Sequence, residues 1–292
     1  MGTKDNNPGI YTILRPSGVE RPLIFDSPHS GHNYPDDFNH ACPRDALLRA
    51  EDNEVDILFA DVTQAGASLL TALFPRTYID VNRAEDDIDT ELLAERWPGP
   101  LNPTSRSYAG IGLLRRLVKP GIPVYDRALT VAEVRARIGN YYHPYHAALR
   151  SLLDDAHYRF GKVWHINCHS MPSSSAAVTN GVLSMQPDFV LGDRDGTSCD
   201  LGFTHFLRDA LRTMGYRVAI NNPYKGVELV RRSANPAEGR HSIQIEISKG
   251  LYWDENKNER IKNFSKLKGD IDKLVEACGI YVDSHLSSLA AD

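Results

Sequence analysis

Short apolar runs of strand length alternate along this 292-residue chain with longer stretches of helical periodicity, and that alternation constrains the fold most. Leu23 to Asp26, Ser68 to Leu73, Arg76 to Val81, Val163 to Cys168, Phe189 to Leu191, Arg217 to Ile220 and His241 to Ile247 read as strands. Pro43 to about Ala65, Thr130 to about Phe160, Asp200 to Met214 and Glu259 to Cys278 read as helices. Thr130 and Glu133 have the spacing of a capping box, and Gly139 to Pro144 divides that long stretch. The order predicts an α/β protein, a three-layer α/β/α sandwich with a mixed, mostly parallel sheet. No segment resembles a linker, so residues 1–292 are expected to form one domain, with 1–18 as a peripheral N-terminal segment.

Two of the strand-like runs end in histidine. His29 follows Leu23-Ile-Phe-Asp-Ser-Pro28, and His169 follows Val163-Trp-His-Ile-Asn-Cys168. Ligands of open α/β sheets bind beyond the carboxyl ends of the strands. Two imidazoles delivered there by different strands suit a shared metal ion. A hydrolytic site of this kind takes two His and one carboxylate and leaves a position open. The acidic cluster Glu51-Asp52-Asn53-Glu54 stands at or just before the helix after the His29 loop, so Asp52 is the expected third ligand and Glu51 its alternative.

Glu246 is a charged residue inside the apolar alternation Ile243, Ile245, Ile247. Set at the crevice end of its strand, it is the candidate for proton transfer, because partial burial raises a carboxyl toward the operating pH. Arg83 follows the run Tyr78-Ile-Asp-Val-Asn82 and is the first candidate to grip a substrate carboxylate. Arg115, Arg116 and Arg127 lie in or after a proline-rich loop, 96–123, and could serve likewise. Gly226 sits in a loop after a strand, where backbone can approach a ligand closely.

Bulk composition excludes other classes. A net charge of −5 gives no electrostatic footprint for nucleic acid or an anionic membrane surface. No apolar stretch approaches the ~18 residues of a membrane span, and the polar N-terminus has no hydrophobic signal region, so a cytoplasmic location is expected. The four cysteines, Cys42, Cys168, Cys199 and Cys278, show no Cys-x-x-Cys spacing and read as buried thiols.

Asp26-Ser-Pro-His-Ser-Gly31 with Tyr34-Pro35, Asp80-Val-Asn-Arg83, Tyr145-His146 and Cys168-His-Ser-Met-Pro172 resemble motifs of the N-formylglutamate amidohydrolases. So do Gly192-Asp-Arg194, Asn222-Pro-Tyr-Lys-Gly226 and Gln244-Ile-Glu246 with Leu251-Tyr252, all in order from about residue 20 to 255. The resemblance implies a zinc-dependent hydrolase of phosphorylase/hydrolase-like fold, related to zinc carboxypeptidases and peptidoglycan amidases. It implies cleavage of an N-formyl or N-acyl amide on an acidic amino acid, as in the last step of one histidine-degradation route. By that likeness His29 and His169 are metal histidines, Asp52 falls in the carboxylate-ligand region, and Glu246 is the general base. Arg83 falls on the substrate side, with His146, Asn222 and Gly226. The chain departs from the pattern at Asn167, where an acidic residue is expected, and at Lys225-Gly-Val-Glu228, where a Gly-Gly pair is expected.

The sequence thus predicts an enzyme holding one zinc or other divalent ion and acting on a small acidic N-acyl amino acid. Its rivals are an N-acyl amino acid deacylase or peptidoglycan-type amidase of the same fold, and a binding module without catalysis.

Overall fold

Val163–Met171 and Arg240–Ser248 are the longest strands, nine residues each, and are almost wholly buried, which places them at the centre of the sheet. The computed structural model describes residues 4–16, 18–119, 121–179 and 182–287. Eight strands form the main sheet: β1 (Lys4–Asn7), β2 (Tyr11–Leu14), β3 (Leu23–Ser27), β4 (Ser68–Ala72), β5 (Val163–Met171), β6 (Phe189–Gly192), β7 (Val218–Ile220) and β8 (Arg240–Ser248). Their spatial order is β1-β2-β4-β3-β5-β8-β6-β7. The inner four, β4-β3-β5-β8, run parallel; β6 is antiparallel to β8 and parallel to β7. The sheet is therefore mixed and mostly parallel, as predicted. Residues 4–14, expected to be peripheral, add an antiparallel hairpin to its edge.

Side chains alternate between the faces of a strand, and here the alternation separates core from chemistry. Leu23, Phe25, Trp164, Ile166, Cys168, Ile243, Ile245 and Ile247 share one hydrophobic core with Phe203 and Leu207 of α5 (Leu201–Thr213) and Leu267 and Ile271 of α6 (Phe264–Ser287). The intervening residues Asp26, His165, Asn167, His169, Ser242, Gln244 and Glu246 are polar and buried. Beside that polar strip, Ile24, Leu70, Ala72 and Val163 pack against Tyr145, Leu149 and Leu152 of α4 (His143–Phe160). α3 (Val131–Arg137) leads into α4 through a π-helical turn at Ile138–Tyr142, and the Thr130–Glu133 capping box is present.

Four expectations differ from the structure. The closing helix predicted over Glu259 to Cys278 instead spans Phe264–Ser287, after a short strand at Glu259–Arg260. The helix predicted over 43–65 is broken into α1 (Arg44–Leu48), an irregular segment, α2 (Val55–Leu58) and a 3-10 turn at Ala60–Ala65. The Asp52 N–H donates to the His29 carbonyl (3.0 Å), and Glu54 adopts φ 55°, so the backbone leaves helical geometry there. Arg76 to Val81 is irregular rather than a strand, with turn bonds from Tyr78 to Pro75 and from Arg83 to Asp80. His169 lies inside β5, which runs three residues beyond Cys168. The four cysteines are buried and unpaired. Among the described residues no helix is long and apolar enough to cross a membrane.

Candidate active site

Strand register brings the site together. Asp26 of β3 pairs with Asn167 of β5, and β8 sets Gln244 opposite Asn167 and Glu246 opposite His169. His29 stands two residues beyond the end of β3, in the same crevice.

His29, Asp52 and His169 are buried, and each offers a ligand atom within 4.8 Å of the others. The imidazole rings are 4.7 Å apart. Asp52 Oδ2 lies 2.9 Å from His169 Nδ1 and 3.4 Å from His29 Nδ1. Each ring's other nitrogen is engaged elsewhere: His29 Nε2 with Asp80 Oδ1 at 2.7 Å, and His169 Nε2 with Asn167 Oδ1 at 2.7 Å. The Asn167 amide group donates to Asp26 (2.7 Å), so its oxygen must face His169 as an acceptor. The Asn82 amide nitrogen also lies 3.0 Å from His169 Nε2, and burial holds the His169 imidazole below its ordinary pKa. His169 Nδ1 lies against the Asp52 carboxylate, while the buried Nδ1 of His29 has no hydrogen-bond partner among the described residues. Two imidazole nitrogens and a carboxylate oxygen in that relation fit a cation.

The electrostatics around the group are strongly coupled. Burial alone raises the carboxyls of Asp52 and Asp80. Asp52 is held well below the usual range by its contacts with His169 and His29 and by the Arg76 charge. Asp80 is lowered similarly by Arg76 and His29. Arg76 bridges them, 2.8 Å from Asp80 Oδ2 and 3.4 Å from Asp52 Oδ1. Glu246 moves the other way. Burial first, and then the Asp52 charge, push its carboxyl well above the usual range. The Gln244 amide donates to Glu246 Oε1 at 2.7 Å and fixes its orientation.

These residues line a cavity of about 490 Å³. Arg49, Arg76, Arg83, Arg106 and Arg115 also line it. Arg83 is 8% exposed, and its guanidinium donates to the carbonyls of Asn82 and Ile111. Arg115 is 7% exposed; among the described residues it reaches only the Val118 carbonyl, at 3.4 Å, and its Nε has no partner. Burial, then the Arg76 charge, push Arg115 down to about 9. A buried guanidinium without a carboxylate is costly unless an anion joins it.

Of the residues singled out from sequence, His29, Asp52, His169, Glu246, Arg83, Arg115 and Gly226 meet at this cavity. Glu51 turns away: its carboxylate accepts from the Tyr34 hydroxyl, and burial raises it to about 7. Arg127 pairs with Glu133 at 2.6 Å, because the capping-box carboxylate is nearer to it than the crevice. His146 donates to the Val81 carbonyl (2.9 Å) behind the 80–83 segment and does not line the cavity. Asn222 precedes a cis proline; Pro223 and Tyr224, rather than Asn222, form the wall beside Gly226, whose φ is +86°. Sequence reasoning missed the roles of Arg76, Asp80 and Asn82. Their polar spacing at 80 and 82 was the available signal, read there as strand alternation.

A His–Asp–His group beside a buried carboxylate and several guanidiniums, at the carboxyl ends of parallel strands, is an arrangement of the hydrolase class. The sequence model of the N-formylglutamate amidohydrolase family matches residues 21–253, and the chain belongs to that family. It is 30% identical over 240 residues to the N-formylglutamate deformylase of Pseudomonas putida, covering 80% of this chain and 82% of that protein. The N-formylglutamate deformylase of Pseudomonas aeruginosa is 28% identical over 238 residues, covering 80% and 83%. The crystal structure of N-formylglutamate amidohydrolase from Ralstonia eutropha JMP134 superposes with a TM-score of 0.90 at 44% identity, covering 95% of this chain and 99% of that one.

Proposed function

We propose that this protein hydrolyses the amide of N-formylglutamate to glutamate and formate, using a divalent ion held by His29, Asp52 and His169. The observation that carries the reading is the buried His–Asp–His group, with the unpartnered His29 Nδ1, set beside Glu246 and the guanidiniums of Arg83 and Arg115, which have no ion pair among the described residues. The nitrogen-rich donor set favours zinc. When bound, such an ion supplies Lewis-acid polarisation of the formyl carbonyl and makes a nearby water more acidic.

The protein's own groups perform the rest. Glu246, raised by burial, takes a proton from the attacking water as its oxygen bonds to the formyl carbon. It returns that proton to the glutamate nitrogen as the C–N bond breaks. Gln244 keeps the carboxyl aimed during both transfers. Arg83 and Arg115 receive the two carboxylates of the substrate, exchanging weak carbonyl contacts for charge-assisted pairs. Arg76, already held by Asp80 and Asp52, stays with the metal-side carboxylates. The reaction corresponds to the closing step of one route of histidine degradation.

Release of the free amino acid from N-formyl-L-glutamate, N-acetyl-L-glutamate and N-formyl-L-leucine tests the reading. We expect the first to be preferred, with loss of the side-chain carboxylate costing roughly 10- to 100-fold in kcat/KM. Absence of release from N-formyl-L-glutamate, or preference for the neutral substrate, would contradict it.

A further inference from the structure

The irregular segment 49–53 carries Asp52, and one buried ammonium group is bonded to it at three places. Lys249 is 5% exposed and stands three residues beyond Glu246, in the turn after β8. Its Nζ donates to the carbonyl of Glu51 (2.5 Å), to Asn53 Oδ1 (3.0 Å) and to the carbonyl of Arg49 (3.5 Å). Among the described residues it forms no ion pair: the three acceptors are neutral, and all belong to the segment flanking Asp52. An ammonium has three N–H groups, so the segment uses its whole donor capacity. From the same turn, the buried Tyr252 hydroxyl donates to the Asn53 carbonyl at 2.8 Å. On the other side, the Asp52 N–H donates to the His29 carbonyl (3.0 Å), and Ser30 Oγ donates to the Asp52 carbonyl (2.9 Å).

We infer that Lys249, assisted by Tyr252, is a positioning residue that clamps residues 49–53 and so sets the Asp52 carboxylate against His29 and His169. Turn bonds from Ala50 to Leu47 and from Glu51 to Leu48 carry the chain out of α1, and beyond them the backbone at Asp52 and Asn53 has no helical or strand ladder and is held by such external bonds. The neutral acceptors distinguish this role from a structural salt bridge, since the charge is committed to backbone geometry. The clamp also links the strand bearing Glu246 to the loop bearing Asp52, tying the proton-transfer group and the carboxylate ligand to one turn. The inference rests on the proposed metal role of His29, Asp52 and His169.

The test uses the full chain stripped by a chelator and titrated with Co2+, read by visible absorption and calorimetry. Lys249→Met should remain folded and bind Co2+ about 10- to 100-fold more weakly than the unaltered protein, with an altered visible spectrum. Folded Lys249→Met with an affinity within about twofold of the unaltered protein overturns the inference, as does an effect confined to the KM for N-formylglutamate, which marks a substrate contact. If Lys249→Met does not fold, Tyr252→Phe decides: affinity about 3- to 10-fold weaker supports the clamp, and unchanged affinity overturns it. Failure of the unaltered protein to bind Co2+ overturns the metal reading and the clamp together. Normal binding there with an insensitive variant overturns the clamp alone.

Discussion

Glu246 and His169 are register partners on adjacent parallel strands, buried on the same face of the sheet. Their separation is therefore set by the hydrogen-bond ladder of the two longest strands and not by a loop. Sites built on rigid elements keep their geometry better than those built on loops. His29 stands only two residues beyond β3, whereas Asp52 reaches the group from the irregular segment between two short helices, which makes its support the sensitive point.

Glu246→Gln keeps shape and burial but removes the carboxylate that accepts and returns the proton. We expect metal content to be unchanged and kcat to fall by roughly 10²- to 10⁴-fold. Metal analysis beside steady-state kinetics checks this; loss of metal would make Glu246 a ligand.

Asp80 holds the far nitrogen of His29 and half of Arg76. Asp80→Asn should therefore weaken metal binding by about 10- to 100-fold while leaving the substrate-side arginines in place. Competition with a chelating dye measures it, and an unaltered affinity would remove Asp80 from the support of His29.

Arg115 is buried, and among the described residues it has no anionic partner. Arg115→Met should cost roughly 10- to 100-fold in kcat/KM for N-formylglutamate, yet leave thermal stability equal or higher, because an uncompensated buried charge is removed. A large fall in Tm would show that the guanidinium is structural.

Burial first, and then the Arg232 charge, push the His146 imidazole down to about 4, below the ordinary value near 6.5. The unfolded chain thus takes up this proton first on acidification. The native state loses stability as pH falls from about 6.5 toward 4, by roughly 2–3 kcal/mol for this group. Urea unfolding at pH 7 and pH 4.5 should show a smaller acid loss for His146→Gln than for the unaltered protein. Parallel losses would contradict the assignment.

The α/β class and the convergence of His29 and His169 were legible because period-two alternation and strand ends are local properties of the chain. Glu246 was legible for the same reason, as a charge within Ile243, Ile245 and Ile247. Arg76 to Val81 misled because Asp80 and Asn82, facing His29 and His169, imitate the alternation of a half-buried strand. Their partners lie 51 and 87 residues away, so local spacing does not show what they face. The break in the 43–65 helix was equally hidden, since it depends on the His29 carbonyl and on Lys249. Arg127 illustrates a competition that local reading does not resolve: the Glu133 carboxylate six residues away captures it.

The central claim is that His29, Asp52 and His169 hold an ion needed for hydrolysis of N-formylglutamate. Formate release by the purified protein, before and after metal removal and after re-addition of one equivalent of Zn2+, tests it most directly. The account predicts activity that disappears on stripping and returns with the ion, and no such recovery in His29→Ala or His169→Ala. Full turnover by demonstrably metal-free protein would contradict it.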